Sequence, residues 1–196
     1  MSNPSCLTLK LSNMTVPIVL FGAPGSGKSL TARALSSLTR MPYQDTDLII
    51  EKRAGKSISQ IFVEDGEEVF RAIEQEVVLE LLTHNDVVIA VGGGSVVIPA
   101  VNQAIRDSSA IRIYLEVSLN VVAPRVGFNK DRPLLALNPR ASWNALMEKR
   151  RPIYESLAQF TFSTDSMSPS EVADSIARAL DLPRFEEGNH TKDGKK

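Results

Sequence analysis

One stretch constrains this chain more than any other: Gly22-Ala23-Pro24-Gly25-Ser26-Gly27-Lys28-Ser29, a G-x-x-x-x-G-K-S pattern. Before it, Val16–Phe21 is a short apolar run of β-forming residues. After it, Leu30–Leu38 carries apolar residues at helical spacing. A glycine loop between a strand and a helix is the setting in which this pattern binds phosphate. Glycines let successive N–H groups turn toward a polyphosphate that a Cβ would hold off. The helix that follows presents its positive end to the same anion. Gly25, Ser26, Gly27, Lys28, Ser29 and Leu30 form the predicted cradle. Lys28 would reach the β- and γ-phosphates, and the Ser29 hydroxyl would ligate Mg²⁺. A glycine-rich turn opening an ordinary helix accounts for Gly22 or Gly25 alone, but leaves Gly27-Lys28-Ser29 at this offset as coincidence. The expectation is a chain that binds a nucleoside triphosphate.

The rest of the chain alternates strand and helix patterns. Pro42–Asp47 reads as a short strand ending in two acids, with Asp47 able to cap a helix from Leu48 to Ala54. Ser57–Phe62 reads as a short helix and Glu64–Gly66 as a break. Glu67–Thr83 is a longer helix with an apolar stripe of Phe70, Ile73, Val77 and Leu81, and Arg71 lies off that stripe. Asp86–Val91 is almost wholly apolar, as a parallel strand covered on both faces would be, and it ends in Gly92-Gly93-Gly94. Pro99–Asp107 is a helix opened by proline, Ala110–Leu115 a strand, and Ser118 caps a helix through Val126. Gly127–Pro139 has no clear period and reads as a mobile loop. A helix from Arg140 to Leu157, interrupted by Pro152, a strand Phe160–Thr164 and a helix Pro169–Leu180 complete the pattern.

Five strands alternating with helices predict one doubly wound α/β domain with a largely parallel sheet, over residues 15–182. Residues 1–14 are a polar extension, and residues 183–196 a polar tail expected not to pack. A ligand should sit beyond the carboxyl ends of the strands. The Lys28 loop, the Asp45/Asp47 pair and the triple glycine all fall there.

Composition narrows the partners. A formal net charge of −1 offers no global field for nucleic acid or an anionic membrane. No apolar run approaches the ~20 residues of a membrane span, and the start of the chain lacks a secretory pattern. The one cysteine, Cys6, excludes an internal disulfide framework and agrees with a reducing cytoplasm. The two histidines, His84 and His190, end a helix and lie in the tail, and Trp143 reads as a packing residue.

Taken in order, the motifs resemble shikimate kinase. They are Gly22–Ser29, Asp45-Thr46-Asp47, Ile58-x-x-Ile61-Phe62, Gly66-Glu67-x-x-Phe70-Arg71-x-x-Glu74, Gly92-Gly93-Gly94, Arg125 with Arg132-Pro133-Leu134-Leu135, and Arg150-x-Pro152-x-Tyr154. The resemblance spans about Val16 to Leu180 and implies a three-layer α/β/α P-loop fold, with residues 125–139 as a mobile lid. It implies phosphorylation of the 3-hydroxyl of shikimate by ATP with Mg²⁺, in the route to chorismate and the aromatic amino acids, by a cytoplasmic monomer. Arg71 and Arg150 match the family's ligands for the shikimate carboxylate, a role suited to guanidinium forks. On residue pattern alone, Arg71 paired with Glu67 or Glu74 reads rather as a surface salt bridge. Asp47 resembles the acid that holds the substrate hydroxyls and orients the attacking one. Asp45 resembles the acid that supports Mg²⁺ through water. Gly93 and Gly94 match the turn that contacts shikimate. Arg132 matches the lid arginine that closes on the phosphates, Arg125 the residue flanking adenine, and Pro169 the other side of that base.

Two departures stand out: Leu30 follows Ser29 where the family usually has a second hydroxyl residue, and Met167 stands where relatives often carry a polar or basic one. A gluconate or nucleoside monophosphate kinase shares the loop and sheet but not this combination of acids, glycines and arginines. A nucleotide switch is suggested by Asn129-Lys130-Asp131, but Arg132 stands where the guanine-reading acid would be needed.

Overall fold

The computed structural model describes residues 16–125 and 139–185. Its sheet has five parallel strands: β1 (Ile18–Phe21), β2 (Tyr43–Asp45), β3 (Val88–Ala90), β4 (Ile111–Glu116) and β5 (Phe160–Ser163), in the order β2-β3-β1-β4-β5. The helices are α1 (Lys28–Thr39), α2 (Thr46–Ala54), α3 (Ile58–Gln60), α4 (Glu67–Leu81), α5 (Pro99–Asp107), α6 (Leu119–Arg125), α7 (Pro139–Leu157) and α8 (Pro169–Ala179).

Side-chain alternation along the strands sorts the core into two layers. Ile18, Leu20, Val88, Ala90, Ile111, Ile113 and Leu115 face Ala32 and Leu35 of α1 and Val172 and Ile176 of α8. Val19, Phe21, Ile89 and Tyr114 face the other way, onto Val77 and Val78 of α4, Val101 and Ile105 of α5, and Trp143, Met147 and Tyr154 of α7. A strand buried on both faces has no polar side to show, which is why β1 and β3 read as unbroken apolar runs.

Several boundaries differ from the sequence expectation, each for a local reason. Helix α1 opens at Lys28, not Leu30, with Gly27 at its N-cap in the left-handed region (φ 86°). Its first residues are polar, so apolar periodicity could not detect them. Strand β2 stops at Asp45, and Asp45 caps α2, accepting the Asp47 N–H at 3.0 Å. The cap is therefore Asp45, not Asp47. An Asp cap stabilises a helix by about 1 kcal/mol.

The expected break after Phe62 is a π-turn, Ile61–Asp65, closed by Gly66 N–H donating to the Ile61 carbonyl. Its wider turn sends Ile61 into the core and sets Phe62 against Phe70, with ring centroids 4.6 Å apart. Helix α7 runs through Pro152 without interruption. Pro152 and Glu148, whose carbonyl the missing N–H would have bonded, are both exposed, so solvent can serve that carbonyl. The chain also packs beyond Leu182. Phe185 N–H donates to the Leu38 carbonyl at 2.8 Å, its ring lies 4.2 Å from the Arg40 guanidinium, and Arg184 pairs with Asp174. The tail from Pro183 is thus not free of the core at its start.

Candidate functional site

The strand order places the carboxyl ends of β2, β3 and β1 side by side, and each delivers one part of a site. After β1 comes the glycine loop. Gly22, Gly25 and Gly27 all have positive φ, and a Cβ on Gly22 would stand 2.4 Å from the Leu115 carbonyl oxygen, so only glycine fits there. Lys28 Nζ folds back along the loop, donating to the carbonyls of Gly22 at 3.1 Å and Ala23 at 3.0 Å. Gly25, Gly27, Lys28, Ser29 and Leu30 line a cavity of about 220 Å³ with Pro24, Asp45, Asp47, Val91 and Gly93. Ser26 is the exception among the predicted phosphate ligands. It is fully buried and its N–H donates to the Ala23 carbonyl, so it shapes the loop from behind.

At the end of β2 come Asp45 and, two residues on, Asp47, which line the same cavity as Lys28 and Ser29. Thr46 between them is buried, and its hydroxyl accepts the Gly92 N–H at 2.9 Å, tying the start of α2 to the glycine turn after β3. The three glycines of that turn meet three different partners. A Cβ on Gly92 would lie 2.6 Å from Glu74 Oε1 and 2.9 Å from Asp47 Oδ1. One on Gly93 would lie 3.1 Å from Pro24 of the phosphate loop, and one on Gly94 would lie 2.7 Å from Arg71 Nη1.

Arg71 and Arg150 reach this turn from α4 and α7. Arg71 Nη1 donates to Glu74 Oε2 at 2.6 Å, while its Nε and Nη2 donate to Glu67 Oε1 at 3.2 and 3.1 Å. The surface salt-bridge reading of Arg71 is right about the partners and wrong about the place, because the Glu74 side chain is only 1% exposed. Glu74 Oε1 also accepts from the Ser95 hydroxyl at 2.6 Å, so both carboxylate oxygens are bonded. Burial works to lower the Arg71 pKa, but the hydrogen bonds and charges of Glu74 and Glu67 outweigh it and raise it, so the guanidinium stays charged. Arg150 Nη1 donates to the Gly93 carbonyl at 2.9 Å, and the Tyr154 hydroxyl donates to the same oxygen at 2.7 Å.

The structure therefore gathers Lys28, Ser29, Asp45, Asp47, Arg71, Gly93, Gly94 and Arg150 at one sheet edge. Pro169 opens α8 and lines a separate groove of about 740 Å³ between α1 and α8. Leu30 lines both hollows, so it joins them. Arg125 is the last residue of α6, but its side chain lies outside the described residues, as do the whole of Arg132 and the rest of the predicted lid. Among the described residues, no cluster of three or more His, Cys, Asp or Glu could hold a metal. Ser29 and Asp45 offer two hard oxygens on one cavity, a set that fits Mg²⁺, which keeps several waters and takes other ligands from phosphates.

Sequence reasoning missed the supporting residues Thr46, Glu74, Gly92, Ser95 and Tyr154 as contributors in their own right. Glu74 carried the clearest signal, an acid set among Phe70, Val77, Val78 and Leu81, the buried residues of α4.

Residues 24–181 match the shikimate kinase family model. A shikimate kinase from Thermobifida fusca is 49% identical over 164 residues, covering 83% of this chain and 93% of that protein. Two solved structures are similar. Shikimate kinase from Acinetobacter baumannii in complex with shikimate has a TM-score of 0.81 at 29% identity, covering 87% of this chain and 94% of that one. Shikimate kinase from Aquifex aeolicus has a TM-score of 0.71 at 34% identity, covering 84% and 96%.

Proposed function

The chain belongs to the shikimate kinase family, and on that premise we propose that it transfers the γ-phosphoryl group of ATP to the 3-hydroxyl of shikimate through the residues gathered at the sheet edge. The observation that carries this reading is the convergence of two arginines and an acid on a glycine turn that itself touches the phosphate loop. A kinase for a small hydroxy acid needs a carboxylate clamp, a hydroxyl reader and a triphosphate cradle within one molecule's reach. This edge supplies all three.

The roles follow from position. The N–H groups of the first turn of α1 have no helical partners and face the cavity, ready for phosphate oxygens. Lys28 exchanges two neutral carbonyls for the β- and γ-phosphates, a stronger charge-assisted pairing. Arg71 and Arg150 hold the carboxylate of shikimate. Asp47, on the cavity lining, orients the attacking hydroxyl and accepts its proton. Ser29, and Asp45 through water, would hold Mg²⁺, which when bound neutralises charge on the phosphates. Arg132 is assigned the closing cation over the transferring group, and Arg125 and Pro169 the two faces of adenine. Most of the barrier reduction comes from positioning and preorganised charge, as phosphoryl transfer demands. No described helix is long and apolar enough to cross a membrane.

A coupled assay for ADP release, with Mg-ATP and shikimate, gluconate or nucleoside monophosphates, tests the reading. Turnover on shikimate alone is expected, with Asp47→Asn retaining ATP binding and losing turnover. Wild-type turnover in Asp47→Asn would remove that acid from its role, and turnover on gluconate instead would overturn the acceptor.

A further inference from the structure

We propose that Tyr154 is a positioning residue for the acceptor site: its hydroxyl fixes the Gly93 carbonyl, and that carbonyl fixes the aim of Arg150. The inference rests on the assignment of Arg150 to the acceptor's carboxylate.

The Gly93 oxygen has two lone pairs, and two donors reach it, Tyr154 Oη at 2.7 Å and Arg150 Nη1 at 2.9 Å. Both side chains stand on one face of α7, four residues apart. Tyr154 is fully buried, and its ring is wedged between Phe21, at 6.2 Å, and Tyr114, at 5.3 Å between centroids. Phe21 is the last residue of β1 before the phosphate loop, and Gly93 abuts Pro24 within that loop. The peptide is thus braced by the loop on one side and by a rigid phenol on the other. With the phenol gone, Arg150 becomes the only side chain among the described residues bonded to this carbonyl, and the two can swing together. The guanidinium has five N–H donors in a fixed fork, so the donor given to Gly93 sets where the rest point.

Packing alone does not require this hydroxyl. Neighbouring Tyr114 occupies the same aromatic cluster, and its hydroxyl has no partner among the described residues. Burial raises the Tyr154 pKa while Arg150 pulls it down, with burial prevailing, so the phenol remains a donor at neutral pH. The chemistry to be positioned is a single planar anion: a carboxylate that accepts a bidentate fork only when the fork is correctly tilted.

Tyr154→Phe keeps the ring and removes the donor. In steady-state kinetics with Mg-ATP and shikimate, the KM for shikimate should rise about fivefold, the usual worth of one net hydrogen bond. The KM for ATP should stay within about twofold, because the phosphate loop still packs on an aromatic ring. A double-mutant cycle with Arg150→Ala should be non-additive, since both changes act through one carbonyl. On the wild-type chain, the buried Tyr154 hydroxyl proton should give a slowly exchanging NMR resonance that shifts when shikimate binds. An unchanged shikimate KM, an ATP KM rising in step with it, an additive cycle, or a resonance indifferent to shikimate would each overturn the proposal. Failure of the underlying assignment looks different: Arg150→Ala would then leave the shikimate KM alone, whereas failure of this inference leaves Arg150→Ala impaired and Tyr154→Phe intact.

Discussion

Gly92→Ala puts one methyl group at the junction of the acid and arginine systems. Gly92 has no positive φ, so alanine meets no backbone strain. Its Cβ would nevertheless stand 2.6 Å from Glu74 Oε1, 2.9 Å from Asp47 Oδ1 and 3.0 Å from Ser95 Oγ. Ordinary contact begins near 3.4 Å, so Glu74 must retreat by about 0.8 Å and Asp47 by about 0.5 Å. The backbone cannot yield instead, because Gly92 N–H is held by Thr46 and its carbonyl by the Ser95 N–H. Glu74 moves only by stretching two bonds of 2.6 Å, to Arg71 and Ser95, in a buried setting.

A hydrogen bond involving a charge contributes roughly 1.5–3 kcal/mol, and overpacking costs about 1–3 kcal/mol. Against these, the stiffer unfolded chain gives back about 0.4–1 kcal/mol. The net is a loss of about 3.5 kcal/mol, or roughly 7–14 °C in Tm for a chain of this size. Activity should suffer more. If 1 Å of misplacement costs about a hundredfold, kcat/KM for shikimate should fall by about 30- to 100-fold. Gly55→Ala is the control: with φ 65° and nothing within 4 Å, it should lose ~1–2 kcal/mol from left-handed strain while its kcat/KM stays within about twofold. Differential scanning calorimetry and the ADP-release assay measure both effects. A Gly92→Ala enzyme within about threefold of wild type would refute the reasoning.

Other perturbations separate functions that share residues. Lys28→Ala should lose at least about a hundredfold in kcat in the ADP-release assay, as one preorganised cation is removed from the phosphate loop. Asp45→Asn keeps the cap on α2, since asparagine caps as well as aspartate, so Tm should hold while the Mg²⁺ concentration for half-maximal turnover rises several-fold; Asp45→Ala should lose both, including about 1 kcal/mol of stability. The Tyr114 phenol is pushed up to about 12, chiefly by burial and then by the charge of Glu116. Its neutral form is favoured in the folded chain, so the stability it contributes is full below pH 10 and lost as pH rises to 12, about 1.4 kcal/mol per unit. Tyr114→Phe should therefore unfold in urea at wild-type or higher concentrations at neutral pH, and fall less steeply than wild type between pH 10 and 12; parallel curves would contradict this.

The parts of this molecule legible in the sequence are those that repeat or punctuate. Five apolar strand runs and the glycine patterns led to the sheet and its loaded edge, because burial on both faces leaves an unbroken apolar signature. Arg71 shows where reading along the chain fails. Its helical neighbours Glu67 and Glu74 were visible, but the burial of Glu74 depends on Ser95, which arrives from 21 residues away. The cap of α2 was misplaced by two residues for a similar reason: Asp45 and Asp47 are chemically equal candidates, and only the end of β2, pairing Asp45 with Ala90, decides between them. Tyr154 belongs to a motif visible in the sequence, yet its hydroxyl bond to the Gly93 carbonyl spans 61 residues.

The triple glycine draws these strands together. A single glycine would suffice for a turn, so the need for three has to come from what each one faces. Gly92 must leave room for two carboxylates, Gly93 for the proline of the phosphate loop, and Gly94 for the Arg71 guanidinium. Each side chain excluded here would displace a different part of the site: the hydroxyl-orienting acid, the phosphate cradle or the carboxylate clamp. The turn is therefore a common wall, and close approach of backbone to all three is what brings an anion-binding loop and an anion-binding clamp within one phosphoryl transfer of each other. Two anionic substrates repel, and a wall of bare backbone leaves room for Lys28 on one side and Arg71 and Arg150 on the other to offset that repulsion.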